Sequence, residues 1–426
     1  MEYINYGEFK YKNDELHCED VRIRKIIDDL GTPAYIYSRK HIVEEFTDFS
    51  NAFAEVDHKI FYAVKSNYNL SIIKIFADLG SYFDANSIGE IERVEKAGVH
   101  PSRIGFSGVG KTDEEIESAL KKGILVFKSE SEEEILVIDE IAGKLNKQAL
   151  VSVRVNPDVD PHTHPYISTG LAENKFGINA ADSLGVFRRC NKLKNIRLDG
   201  IDMHIGSQIN KPEPFVEAVT KLSEVYLTLK NEGIDLKHFD VGGGFGIKYK
   251  TEIPLDIKLT AKKLLPLFKK LGCEIYFEPG RYFTANAGIL VAKVLYSKTN
   301  MKKHFIIVDA AMNDLIRPSL YDAYHYIQPL TANKSGKDIY ANIVGPVCES
   351  GDFFAKERVF SDVKRNDLIA VMSAGSYGMV MSSNYNGRVR AVEVLVEKEN
   401  YKVVRSRETI PYMLYDEEDK LGNDLF

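Results

Sequence analysis

The sequence predicts a (β/α)₈ barrel followed by a mostly β domain, and three observations predict it. From Ile60 to Phe277 short apolar runs alternate with amphipathic segments, many of them stopped by glycine; this is the pattern of a parallel sheet covered by helices. Eight such runs in roughly the usual ~250 residues favour a closed barrel over an open sheet. After about Gly288 the helical intervals become few and β-rich runs dominate.

Taken in order, Val21–Leu30 reads as a helix ended by Gly31 and Pro33, and Ala34–Tyr37 as a strand. That strand precedes the barrel pattern, so residues 1–38 are expected to join the β domain, with the barrel over 39–287 and the β-rich part over 288–426. The expected barrel strands are Ile60–Val64, Tyr82–Ala85, Arg103–Phe106, Ile124–Phe127, Val151–Val155, Ile201–Ile205, Phe239–Val241 and Glu274–Phe277. Helices are expected over Asn69–Leu79, Ser87–Ala97 and Thr112–Lys122, ended by Gly80, Gly98 and Gly123; Thr112 with Glu115 forms a capping box. Further strands are expected over Ile289–Tyr296, His304–Val308, Ile339–Val344, Leu368–Met372 and Val389–Val396. The acidic tail Asp416–Lys420 reads as a solvated, partly mobile end.

At 426 residues the chain is longer than one ordinary core requires, and two domains follow. A net charge of −6 gives no general attraction to nucleic acid or to an anionic membrane surface. No apolar run approaches a membrane span, and the first residues are unlike a signal peptide. Cys18, Cys190, Cys273 and Cys348 are widely spaced and form no Cys-x-x-Cys, so a reducing cytoplasm is expected rather than a disulfide framework or zinc site.

Catalytic groups of such barrels sit at the C-terminal ends of the strands. Those ends offer Lys65, Asp84 with Asn86, Ser107, Arg154 with Asn156, His204, Gly242–Gly244 and Glu278–Arg281. Lys65 alone is most simply a solvated lysine, His204 alone an even bet for a core histidine, and glycines alone mark turns. Recurrence at successive strand ends favours one shared mouth. The set supplies an amine, an aromatic platform, a close-approach backbone for phosphate and a carboxylate. Pyridoxal phosphate needs that combination, the carboxylate keeping the ring nitrogen protonated so that the ring accepts electrons.

Two competing patterns are weaker. Gly105–Thr112 matches the G-x-x-x-x-G-K-[ST] phosphate loop. Its preceding strand is poorly apolar, its best metal-binding partner, Asp309, lies far off in the β-rich part, and Thr112 is better read as a helix cap. His162 and His164 near Asp158 and Asp160 lack a firm third ligand, so no metal is expected.

These residues resemble the fold-type III pyridoxal-phosphate decarboxylases over nearly the whole chain. The carriers are Tyr62–Asn67 (YAVKSN), Arg154–Pro157, His162–Gly170 with Asn174–Ile178, His204–Ile209 (HIGSQI), Gly242–Gly246 and Glu278–Tyr282. In the β-rich part they are Asp309–Pro318, Cys348–Ser350 and Ala374–Gly378. The lysine, glycine and EPGR elements are shared with ornithine and arginine decarboxylases, whereas the HTHPYISTG loop and the Arg317, Cys348, Glu349 set point to the branch acting on meso-diaminopimelate.

The resemblance implies decarboxylation of that amino acid to L-lysine and CO₂, the last step of lysine biosynthesis. It implies Lys65 as the Schiff-base lysine, His204 stacked on the ring and Glu278 on its nitrogen. Ser207, Gly243, Gly244 and the backbone of Glu278, Pro279, Gly280 and Arg281 would hold the phosphate, with Tyr377 nearby. Arg281, Arg317 and Tyr321 would grip the distal carboxylate, which suits the planar fork of arginine. Glu349 would take the distal ammonium, and Cys348 would protonate the carbanion. It further implies a homodimer with shared sites, Cys348 and Glu349 coming from the partner.

Overall fold

In the computed structural model, residues 3–160, 175–332, 337–418 and 420–421 are described. The chain forms two compact units: Val43–Lys248 with Glu252–Phe283, and Met1–Ile42 with Tyr249–Thr251 and Thr284–Phe426.

The first unit is a closed parallel barrel. Its strands are His58–Ala63 (β1), Tyr82–Ala85 (β2), Ile104–Phe106 (β3), Val126–Ser129 (β4), Ala149–Asn156 (β5), Ile196–Asp202 (β6), His238–Asp240 (β7) and Glu274–Phe277 (β8). Each pairs in parallel with the next, and β8 returns to β1 through Phe277 opposite Ile60. Most of the intervening helices begin on side-chain caps, the exception being Glu213–Asn231, which follows Pro212. Asn69 caps Leu70–Asp78, Ser87 caps Ile88–Lys96, and Thr112 with Glu115 closes a complete capping box on Asp113–Lys122.

β6 begins and ends earlier than its apolar run predicts. It carries Arg197, Asp199 and Gly200, while Met203 and Ile205 are buried in the loop beyond it. Gly200 is required there, because a Cβ would lie 2.2 Å from the His238 ring. That ring is buried between Ser152, 3.1 Å from Nε2, and Asp199, 3.2 Å from Nδ1.

The second unit is built on a sheet in the order Phe353–Ser361, Asp338–Val344, Lys303–Val308, Gly288–Asn300, Ala34–Ser38, Val392–Glu397, Asn400–Arg405. Ala34–Ser38 therefore lies inside the sheet, antiparallel to Gly288–Asn300 and parallel to Val392–Glu397. The N-terminal strands Phe9–Lys12, Glu15–Cys18 and Val21–Arg22 form a small antiparallel sheet of their own. Phe9, Leu16, Ile23, Ile26, Ile36, Ile289, Val291, Ala370 and Val394 share one apolar cluster. Besides those three N-terminal strands, Ile327–Pro329, Phe353–Ser361 and Asn400–Arg405 are strands absent from the sequence reading, and the tail forms a helix over Ile410–Glu418 with no buried residue.

Glu19 pins this unit. Its buried carboxylate accepts from the Ser38 hydroxyl at 2.7 Å, the Lys40 amide at 2.9 Å and the Lys398 amide at 2.5 Å. Three donors lose their acceptor in Glu19→Ala, which is expected to cost about 3 kcal/mol. Denaturant unfolding followed by circular dichroism checks this, and an unchanged midpoint would count against the pinning role.

Candidate active site

The barrel unit gathers its functional side chains at the C-terminal ends of the strands. Lys65 lies in the single 3₁₀ turn Val64–Ser66 directly after β1, its side chain 40% exposed, with Nζ 3.3 Å from Oδ2 of Asp84 on β2. Asp84 is fully buried and also accepts from the Ser107 hydroxyl, just past β3, and from Asn86 at 3.4 Å. Burial alone would raise its carboxyl, but Lys65, Lys128 and the Ser107 hydroxyl more than offset that and hold it at about 2.

The sign of the resulting pH dependence is fixed. An Asp whose folded value lies below its unfolded value of about 3.9 stabilises the fold above that pH and loses the contribution as pH falls towards 2. The stability gap between wild type and Asp84→Asn should therefore narrow by about 2 kcal/mol between about pH 4 and pH 2. Denaturant titrations across that window would reveal it; a gap independent of pH would argue against an ionised Asp84.

Lys128, on β4, points into the barrel. It is buried, and Nζ lies 2.5 Å from Asp240 Oδ2 on β7 and in contact with Glu278 Oε1 just after β8. Burial disfavours its charge, yet Asp240 and Glu278 hold the ammonium protonated well beyond the ordinary lysine range. Burial and Asp84 push the Glu278 carboxyl up; Lys128 opposes this, while Asp240 and Asp202 add to it. Asp202, Asp240 and Glu278 have carboxylate oxygens within 4.8 Å of one another. With an ammonium already held by two of these three groups, their geometry is that of an ion-pair cluster.

His204 follows β6 in the loop that opens with Met203. Its Nδ1 accepts from the Gly243 amide at 3.1 Å, which leaves the hydrogen on Nε2 and the ring neutral. Burial, Arg154 and Lys65 all depress its basicity well below the usual range, in keeping with that tautomer. Arg154 is held by Glu130 at 2.8 Å, and Glu130 also accepts from the Gly177 amide at 2.8 Å.

The glycine run after β7 lies against backbone on every side. A Cβ at Gly243 would come 2.4 Å from the Glu278 carbonyl, and one at Gly244 (φ +95°) 2.2 Å from the Gly206 carbonyl. The Gly242 carbonyl accepts from the Glu278 amide at 2.8 Å, tying the run to the end of β8. At that end the Pro279 carbonyl accepts from the Ala63 amide, and a Cβ on Gly280 would meet Ser66 at 2.9 Å. Arg281 is buried and its Nη2 donates to the Ser207 hydroxyl at 3.1 Å.

This constellation fits pyridoxal phosphate. It offers a partly exposed amine, a neutral imidazole, a carboxylate at a strand end, and glycine backbone that admits no side chain. The same region answers the phosphate-loop alternative. Lys111 is 1% exposed and its ammonium is taken up by Glu134 at 2.6 Å and by the carbonyls of Gly108 and Lys128 at 2.7 and 3.0 Å. An ammonium so engaged is not a phosphate ligand.

A family model described as "Pyridoxal-dependent decarboxylase, pyridoxal binding domain" matches residues 39–285. The diaminopimelate decarboxylase of Aquifex aeolicus is 46% identical, with 97% of each chain covered, and that of Haemophilus influenzae is 46% identical over 94% of this chain and 97% of the other. The chain belongs to the diaminopimelate decarboxylase family. Two solved diaminopimelate decarboxylases with L-lysine bound are also similar. The Helicobacter pylori structure has a TM-score of 0.90 and 41% identity over 94% of this chain and 100% of that one. The M. jannaschii structure has a TM-score of 0.92 and 31% identity over 97% and 98%.

The remaining family positions lie in the other unit. Arg317 opens the short helix Arg317–Tyr321 and is buried, with Nη1 donating to the Tyr249 hydroxyl at 2.9 Å and to His325 Nε2 at 3.0 Å. His325 Nδ1 donates to the Met372 carbonyl at 2.8 Å, which leaves Nε2 as the acceptor. Tyr321 closes that helix, and Tyr377 has a left-handed backbone, φ +55°. Cys348 and Glu349 are exposed; the Cys348 amide donates to Asn386 at 2.7 Å and the Tyr385 hydroxyl to Glu349 at 3.4 Å. The family loop His162–Gly170 and Asn174 lie outside the described residues.

The sequence reading missed Lys128, Asp202, Asp240 and Glu130. The available signal was a charge inside or directly after a short apolar strand. Lys128 fell one residue beyond the predicted end of its strand at Phe127, where it reads as ordinary loop polarity.

Proposed function

We propose that this chain decarboxylates meso-2,6-diaminopimelate to L-lysine and CO₂ with pyridoxal 5′-phosphate, the closing step of a lysine biosynthetic route. The observation that carries the reading is 46% identity to a diaminopimelate decarboxylase along 97% of both chains. The strand-end set of Lys65, His204 and Glu278 supports it chemically. When bound, pyridoxal phosphate supplies the electron sink for the pair left behind by the departing α-carboxylate.

The chain's own residues do the rest. Lys65 would hold the cofactor covalently through its amine. His204, neutral, would offer its ring face to the cofactor, and Glu278 would pair with the ring nitrogen. Ser207, Gly244 and the Glu278–Arg281 backbone would bind the phosphate, and the family resemblance adds Tyr377 to them. Gly243 serves there by close approach, since its amide already donates to His204. By the family resemblance, Arg281, Arg317 and Tyr321 would orient the distal carboxylate, Glu349 would take the distal ammonium, and Cys348 would supply a proton to the α-carbon.

Family resemblance and the exposure of Cys348 and Glu349 in the single chain support a homodimer in which both serve the partner's site. Four free cysteines support a reducing, cytoplasmic setting. Among the described residues no helix is long and apolar enough to cross a membrane.

CO₂ release by the cofactor-loaded protein, offered meso-diaminopimelate, ornithine, arginine and lysine in parallel, tests the proposal. Release from diaminopimelate with lysine as product is expected. Release from ornithine or arginine instead would discard the assignment of Arg317 and Glu349 and keep the cofactor.

A further inference from the structure

Lys128 is a buried charge with no part in the reading above, yet it touches Glu278, which has one. This lysine, on β4, reaches across the barrel to β7 and to the end of β8. Its Nζ lies 2.5 Å from Asp240 and touches Glu278, and it sits 4.7 Å from the centre of the Phe61 ring. Asp240 is further fixed by accepting from the Gly242 amide at 2.8 Å, so Lys128 links the glycine run to the β8 carboxylate. The groups facing Glu278 are three carboxylates, Asp84, Asp202 and Asp240, and this one ammonium in contact. A lone ionised carboxylate in such company is strongly disfavoured, and a buried ion pair is the arrangement that permits it.

We propose that Lys128 is a positioning residue for the cofactor: held between Asp240 and Glu278, its ammonium favours the ionised form of Glu278 and orients it, so that Glu278 retains the proton on the ring nitrogen of bound pyridoxal phosphate. Without that ammonium Glu278 takes a proton itself and no longer opposes a neutral pyridine. The electron sink then weakens although no group in contact with substrate has changed. The inference rests on the reading of Glu278 as the partner of the ring nitrogen.

The test uses full-length protein loaded with pyridoxal phosphate labelled with ¹⁵N in the ring, observed by ¹⁵N NMR. Wild type is expected to resonate in the pyridinium region, Lys128→Met in the neutral pyridine region, and Lys128→Arg with wild type. A Lys128→Met protein that keeps the pyridinium signal overturns the proposal. Should Lys128→Met lose its native circular dichroism, K128M/D240N removes one charge of each sign and carries the same expectation and the same refutation. Asp240→Asn alone leaves the ammonium to Glu278 and must keep the pyridinium signal; a shift to neutral pyridine there also overturns the proposal. Failure of wild type to take up the cofactor covalently is a different result, and it defeats the proposed function instead.

Discussion

Lys65→Ala is expected to purify colourless, to bind pyridoxal phosphate only reversibly and to lose CO₂ release by at least about a thousandfold. The alanine has no amine to hold the cofactor, and covalent catalysis with an activated amine is among the larger single contributions a side chain makes. Asp84 sits 3.3 Å from that amine and is fully buried. Its carboxylate would then lose one of the two cations that keep it ionised, so the variant should be less stable than wild type at neutral pH, by a margin that narrows as pH falls below about 4. Absorbance spectra before and after borohydride reduction, with a peptide map of the reduced wild type, give the direct reading. A variant with wild-type turnover would end the assignment of Lys65.

Gly244→Ala should be nearly as damaging for a different reason. The position combines φ +95° with a carbonyl 2.2 Å from where Cβ would be. An alanine must both adopt a left-handed conformation and push the Gly206 carbonyl away. The backbone there also accepts from the Ile209 amide at 2.9 Å, so displacement breaks a link between the loops after β6 and β7. We expect a loss of about 3 kcal/mol of stability, or a folded protein whose affinity for pyridoxal phosphate has fallen at least about tenfold. Thermal unfolding and fluorescence titration with the cofactor separate the two outcomes. Wild-type values in both would show that the loop has room that this geometry denies.

Much of the barrel was legible because its strands are short, apolar and bounded by caps, and because Thr112–Glu115 and Gly123 carry their own local chemistry. The candidate site was legible where residues act through type and spacing, as with Lys65, Gly242–Gly244 and Glu278–Arg281. Lys128, Asp202 and Asp240 were not, since their significance lies in facing one another across a closed sheet, and no linear spacing records that. The strand Phe353–Ser361 escaped notice because Lys356, Glu357 and Arg358 break its apolar pattern. Glu357 has φ +45° and the pairing with Asp338–Val344 slips beside it, so the regular alternation that marks a strand is absent. Among the described residues Asn400–Arg405 pairs only with Val392–Glu397, at the end of its sheet, and none of its residues is buried, so few apolar residues mark it.

The placing of Ala34–Ser38 inside its sheet has a consequence for synthesis. One neighbour is Gly288–Asn300 and the other is Val392–Glu397, so this strand leaves the ribosome long before either partner exists. The barrel, encoded between them, can complete its own hydrogen bonding first, while the apolar strand waits with both edges open. Long-range pairing of that kind is slow and exposes sticky edges. A fragment begun at Thr284 would lack the strand altogether and leave two apolar edges uncovered. Expressed alone it should be an aggregating polypeptide, and adding Ala34–Ser38 back as a separate peptide is the natural means of rescuing it.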